Sequence, residues 1–272
     1  MKTELATEQI GQYQQEGWLI VEDFFTADEL RDMNDAVDAG VAAMGADKVS
    51  GEHNEDIKDK GGTYYDSVFL QRVNLWRVND HIKQYFLNPV LGQMLCRLAG
   101  IDGIRIWHDQ TLQKEAWGNP SSWHMDNPGW SFHSPDAISM WIALNDVTIQ
   151  NGCMYYLPGS HLTADYTRKG GFGPNVGALF EQYPEFRNIE PVAAVMRAGS
   201  VGFHNGLMAH AAGPNMTPYS RRAMTCAYMP EGSTFNGNQN ILSQERFDSL
   251  AVGEVLDDEK QTPLLWSAHS SG

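Results

Sequence analysis

After Gly100 the chain stops reading as helix. Short β-type runs at 104–114, 121–126, 137–145, 152–157, 192–196, 201–204, 207–210 and 221–229 alternate with Gly, Pro and Asn. Many short strands punctuated in this way restrict the fold to a sandwich or barrel. Ahead of them the pattern is mostly helical. Residues 5–16 read as a helix and 18–25 as a short strand. Thr26, with Glu29 three positions on, reads as a capping box that opens a helix over 27–44. Residues 81–100 read as one or two helices around Pro89. The expected architecture is mainly β with flanking helices: a jelly-roll, cupin-like core braced by N-terminal helices. We expect one unit over 1–272, with a helical part (1–100) packed on the core, a jelly-roll core (101–230) and a C-terminal extension (231–272).

Charge and cysteine usage narrow the partners. The formal net charge is -15, from 34 acidic residues against 19 Lys and Arg. Such a field repels nucleic acid and anionic membranes, so neither is expected as a partner. A small anionic ligand stays open, because one buried Arg outweighs a distant, screened field. Cys96, Cys153 and Cys226 form no CxxC, and an odd count is poor material for a disulfide framework, which points to a reducing compartment. No apolar run approaches a membrane span and the N-terminus has no apolar signal core, so a cytoplasmic protein is expected.

Within the β region one spacing carries chemistry. The stretch SSWHMDNPGW (121–130) places His124 and Asp126 two apart. Side chains two apart on a strand share a face, so these two point one way while Trp123 and Met125 point the other. An imidazole beside a carboxylate makes half of a metal site. In RIWHDQTLQK the same parity aligns His108, Gln110, Leu112 and Lys114. Turned inward, two such strands give the β unit a polar interior, which is costly unless its groups are paired or bind something. Residues 199–223 offer a third ligand, either His204 or His210. Two His and one carboxylate on one side of a metal leave positions open, as in non-haem Fe(II) oxygenases and unlike closed structural zinc. Elsewhere, Arg72 and Asn74 in LQRVNLW share a face and are candidate substrate contacts.

The stretches HDQTLQKEAWGNPSSWHMD, WIALNDVTIQNGCMYYLPGSH and FHNGLMAHAAGPNMTPYSRRA, with QEGWLIVEDFFTADEL near the N-terminus, resemble the phytanoyl-CoA dioxygenase family. The resemblance implies a double-stranded β-helix core. It implies a dioxygenase that uses Fe(II), 2-oxoglutarate and O2 to hydroxylate an unactivated C–H bond of a small-molecule substrate, releasing succinate and CO2. On that resemblance His124 and Asp126 are the HxD iron ligands and His210 the distal one. The family's arginine for the far carboxylate of 2-oxoglutarate lies eleven residues after that histidine, which is Arg221 here rather than Arg222. Lys114 and Gln110 match polar positions turned to the co-substrate. Trp130 matches an aromatic beside the iron, and Trp141 a strand residue lining the same cavity. Relatives carry a small hydroxyl residue two after the distal His, where this chain has Ala212, so Thr217 is the expected substitute donor. Trp117 and Phe132 join Arg72 and Asn74 as candidate substrate contacts. Related halogenases have a small residue in place of Asp126, so hydroxylation is expected over halogenation, while desaturation, ring closure and epoxidation stay open to the same oxidant. Two other readings compete. A divalent-metal hydrolase or isomerase on a cupin-like barrel leaves Arg221 unexplained. A non-catalytic sensor of metal or 2-oxoglutarate differs only in lacking turnover.

Overall fold

The computed structural model describes residues 1–50, 64, 67–168 and 173–269. Its N-terminal helices are α1 (Thr7–Glu16), α2 (Ala27–Met44), α3 (Asp80–Phe86) and α4 (Pro89–Ala99). Their starts are written in the sequence. The Thr26 hydroxyl accepts from the Glu29 amide, and the Glu29 carboxylate accepts in return from the Thr26 amide, satisfying two donors that the first turn leaves open. Asn79 and Asn88 cap α3 and α4 with their side-chain oxygens. Pro89 takes the first position of α4, where a missing N–H costs nothing. The helical stretch around Pro89 is therefore two helices.

The strands are β1 (Trp18–Val21), β2 (Leu70–Val73), β3 (Gly103–Gln113), β4 (Ser121–His124), β5 (Ile138–Ala143), β6 (Met154–Tyr156), β7 (Val192–Ala194), β8 (Val201–Asn205), β9 (His210–Ala212), β10 (Ala223–Pro230) and β11 (Leu264–Ser267). Among the described residues they form two antiparallel sheets. The larger has seven strands in the order β1-β8-β5-β10-β3-β11, with β2 also paired to β3; the smaller has the order β4-β9-β6-β7. The expected jelly roll is present, and both ends of the chain are stitched into its larger sheet through β1, β2 and β11. The run expected at 207–210 begins later, because a turn after β8 occupies Gly206–Leu207: the Asn205 side chain accepts from the Leu207 amide and its carbonyl from the Met208 amide. Among the described residues no helix is long and apolar enough to cross a membrane.

One face of the larger sheet is covered by the helices. Ile104, Ile106, Met140, Ile142, Phe203, Met224 and Tyr228 pack with Val37, Ile82, Phe86, Leu91 and Leu95 in one apolar core. Helix α4 comes close enough to β11 that a Cβ at Gly92 would stand 2.9 Å from the Cβ atoms of Leu265 and Trp266, so only glycine fits there. The other face meets the smaller sheet, and a bulge decides what it presents. Tyr228 pairs with Ile106 but Ala227 with His108, leaving Trp107 as an extra residue in β3. Such an insertion resets the alternation of faces. Ile104 and Ile106 therefore face the helices, whereas His108, Gln110 and Leu112 face inward and line a cavity.

Asp109, on the helix face, is fully buried. Its carboxylate accepts from the amides of Leu75 and Trp76, each at 2.7 Å, and ties the turn at Leu75–Arg77 to β3. Burial pushes its carboxyl up to about 7, against the opposing pull of those amides and Arg77. The folded state thus holds the proton more tightly than the unfolded one. Asp109's contribution is fully present below its ordinary value of 3.8 and is lost as pH rises through 7. Between pH 5 and pH 7 the protein should lose about 2 kcal/mol of stability relative to Asp109→Asn, which cannot ionise. Urea unfolding of both proteins at the two pH values checks this; parallel changes would refute it.

Candidate metal centre

Two cross-strand rows face each other between the sheets. On the smaller sheet His124 of β4 pairs with His210 of β9, and His210 with Tyr156 of β6. On the larger sheet His204 of β8 pairs with Ser139 of β5, Ser139 with Ala227 of β10, and Ala227 with His108 of β3. Paired residues share a face, so imidazoles project inward from both walls.

Asp126 reaches this space by a route other than strand alternation. The strand expected through 126 ends at His124. Asp126 has helical dihedrals (φ -75°, ψ -53°) and opens a 3-10 turn at Asn127–Gly129. That turn is anchored by the Asn127 side chain, whose Nδ2 donates to the Phe132 carbonyl and whose Oδ1 accepts from the Ser134 amide. Met125, expected to face away, lines the cavity.

His124, Asp126 and His210 bring ligand atoms within 4.8 Å of one another. The two imidazole Nε2 atoms lie 3.6 Å and 3.7 Å from Asp126 Oδ1, and the rings are 4.1 Å apart between centres. Each Nδ1 is tied back to its own chain: that of His124 to the Ser122 carbonyl at 2.8 Å, that of His210 to the Met208 carbonyl at 2.9 Å. A carbonyl only accepts, so each Nδ1 carries a proton and each Nε2 is left to face Asp126. Burial, then the neighbouring His124, holds His210 neutral. Burial works against ionisation of Asp126, but His210 and hydrogen bonds from His124 and His204 hold its carboxyl well below the usual range. Two imidazoles beside one carboxylate suit a divalent metal of the first transition row.

A cavity of about 580 Å³ opens beside this cluster, lined among others by His204, Ser139, Trp141, Met125, Pro128 and Trp130. Arg221 lies in the wall, fully buried, its guanidinium carbon 5.0 Å from the Trp141 ring centre and 5.5 Å from that of Phe69. Gln110 is there too, its amide oxygen accepting from Gln71. Lys114 pairs with Arg221 across the strands but stands outside the wall. Its ammonium donates to the Asn119 carbonyl and lies 4.5 Å from the Phe69 ring centre. Burial, then Arg221, pulls its pKa down to about 7.

The other expected contacts lie away from the cavity. The Thr217 hydroxyl donates to the Asn215 side chain. Arg72 donates to the Gly45 and Gln71 carbonyls. Asn74 is fully buried at a positive φ of 62°. Trp117 is 65% exposed, and Phe132 is buried against Trp107. Conversely, His108, Gln71, Asn240 and Ile241 line the cavity without having been expected there as contacts. Burial drives the His108 pKa down to about 4, so it presents a neutral ring, edge-on to Trp130. Strand parity had already grouped His108 with Gln110, and that was the usable signal.

The phytanoyl-CoA dioxygenase (PhyH) family matches residues 13–223. The chain is 24% identical over 270 residues to phytanoyl-CoA dioxygenase domain-containing protein 1 of Rattus norvegicus, with 85% of this chain and 92% of that protein covered. It is 25% identical over 241 residues to ectoine dioxygenase of Nocardia farcinica, covering 80% and 76%. Among solved structures, the non-heme alpha ketoglutarate dependent carbocyclase SnoK from nogalamycin biosynthesis superposes with a TM-score of 0.78 at 24% identity over 96% of each chain. EctD from S. alaskensis, solved with 2-oxoglutarate and 5-hydroxyectoine, gives 0.66 at 20% identity, covering 85% of this chain and 78% of that one. These structural likenesses establish a shared fold.

If the three clustered side chains hold a metal, His210→Ala should weaken Co(II) or Fe(II) binding at least about 100-fold, since even partners one bond removed from a metal contribute on that scale. Calorimetric titration of the metal-free protein measures it. Unchanged affinity would remove His210 from the ligand set.

Proposed function

We propose that this chain, which belongs to the phytanoyl-CoA dioxygenase family, hydroxylates a C–H bond of a small molecule. It is an Fe(II)- and 2-oxoglutarate-dependent dioxygenase. The observation that carries the site assignment is the pair of imidazoles with Nδ1 protons anchored and Nε2 atoms converging on one carboxylate oxygen. On this reading His124, Asp126 and His210 hold the iron and leave its remaining positions to ligands from the cavity. Iron bound there supplies the oxidising chemistry, coupled to the conversion of 2-oxoglutarate and O2 to succinate and CO2.

The protein's own groups do the rest. Arg221 holds the far carboxylate of 2-oxoglutarate through two parallel charge-assisted hydrogen bonds, its plane steadied by Trp141 and Phe69. Gln110 and Thr225 offer polar contacts on the same wall, while Leu112, Met154 and Ala212 exclude water. Lys114 acts on this end from behind, by its charge and by packing against Phe69. Substrate enters beside Trp130, His108, Gln71, Asn240 and Ile241. A neutral His108 and the side-chain amides of Gln71 and Asn240 suit a polar, hydrogen-bonding small molecule, and a cavity of about 580 Å³ is of the size that holds one. The relative and the solved neighbours whose names carry ectoine or nogalamycin support a small-molecule substrate. Three buried free thiols fit a reducing compartment such as the cytoplasm.

An anaerobic titration of 2-oxoglutarate into the Fe(II)-loaded protein should raise a visible charge-transfer band. Each bond from Arg221 to a carboxylate is of order 1.5–3 kcal/mol, so Arg221→Ala should raise the 2-oxoglutarate requirement about 100-fold or more while metal affinity holds. An unchanged requirement takes Arg221 out of the site. Asp126→Gly should yield no hydroxylated product by mass spectrometry, and wild-type product from that variant would mean that the ligand set is wrong. Absence of succinate across a broad substrate screen would favour the sensor reading, and turnover without 2-oxoglutarate the hydrolase.

A further inference from the structure

Asp126 divides its two oxygens between different partners. Oδ1 faces the Nε2 atoms of His124 and His210. Oδ2 accepts from the Ser139 hydroxyl at 2.8 Å and lies 3.3 Å from His204 Nε2. Ser139 and His204 are cross-strand partners on β5 and β8, and are 5% and 2% exposed. A carboxylate only accepts, so His204 Nε2 carries the proton and Nδ1 is left as the acceptor. Tyr156, whose hydroxyl lies 3.4 Å from that Nδ1, is the donor. The Tyr156 ring is fixed in turn. Trp18 stacks on it at 5.7 Å and 18°, and a Cβ at Gly202 would stand only 3.2 Å from its hydroxyl.

We propose that Ser139 and His204 are positioning residues that clamp Asp126 to one-oxygen ligation, with Tyr156 setting the tautomer of the clamp. This rests on the ligand set proposed above. A carboxylate beside a divalent cation binds through one oxygen or both, and nothing in its own chemistry forbids the second. Two donors on Oδ2 fix the carboxylate plane and draw charge from that oxygen, so Oδ1 alone is presented. The difference matters for the reaction. Three protein atoms on a six-position metal leave room for a two-point acid and one further ligand. A carboxylate bound through both oxygens fills the last position. The clamp also explains why His204 packs against His210, with ring centres 4.6 Å apart, without joining the ligands: its inward nitrogen is occupied by a proton.

The test uses the full chain loaded with Co(II), whose ligand-field absorption reports the coordination of the metal directly. Ser139→Ala and His204→Leu should each lower Co(II) affinity about 10- to 100-fold and move the ligand-field bands. His204→Gln, whose amide nitrogen reaches the place of Nε2 and can donate, should restore both towards wild type. Tyr156→Phe should give the same change in smaller measure. A role in packing alone would lower the melting temperature of the metal-free protein and leave the bands in place. Ser139→Ala removes a single oxygen atom, so it keeps the test open should His204→Leu not fold. Wild-type bands and affinity in folded Ser139→Ala and His204→Leu would overturn the clamp. Asp126→Ala separates the two layers of the argument. Full Co(II) affinity in that variant overturns the ligand set and the clamp with it, whereas lost affinity there with silent clamp variants overturns the clamp alone.

Discussion

An ionised carboxylate set between two β-sheets must be satisfied by whatever the sheets present. Asp126 is that group, and much of the architecture around it reads as the answer. Burial alone would drive its carboxyl towards neutrality. What keeps it charged is a shell of imidazoles and a hydroxyl drawn from four strands and both walls. Those strands can converge only because cross-strand pairing places His124 beside His210, and His204 beside Ser139. The helices contribute indirectly: by covering the outer face of the larger sheet they leave its inner face to carry polar groups.

The same arrangement gives the cavity two unlike ends. At one, Arg221 is buried against aromatic rings, with a second cation, Lys114, behind the wall. At the other, amides, an uncharged His108 and Trp130 line the approach. On the proposed function, these two ends sort a dianionic acid from a polar substrate by the local field. The overall charge of -15 has little say, because screening confines it to the exterior.

The sequence made the fold class legible because alternation, capping boxes and turn residues are local signals. Thr26 with Glu29 announced α2, and Pro89 marked the break between two helices. Strands β2 and β11 escaped notice, being short and held by the partner β3 rather than by a pattern of their own. For the site, the spacing of His124 and Asp126 was the right clue with the wrong cause: a 3-10 turn, not a continuing strand, brings the carboxylate in. Parity tells which face a residue occupies but not how far along the barrel it sits. Lys114 shares the face of Gln110 yet lies beyond Phe69, outside the wall. Arg72, Asn74, Trp117, Phe132 and Thr217 are spent on backbone contacts, packing or solvent. Ser139 and His204 were visible as residues, but their meeting at one oxygen depends on the pairing of distant strands.

The extra residue at Trp107 divides β3 into two registers of constraint. Upstream, Ile104 and Ile106 answer to the helices; downstream, His108, Gln110 and Leu112 answer to whatever occupies the cavity. Natural variation can therefore rewrite the downstream half for a new guest while the upstream half keeps its grip on the scaffold. Drawing Trp107 into regular pairing would be another matter, exchanging the two faces along the rest of the strand and bringing Asp109 and Thr111 inward in place of the residues now there.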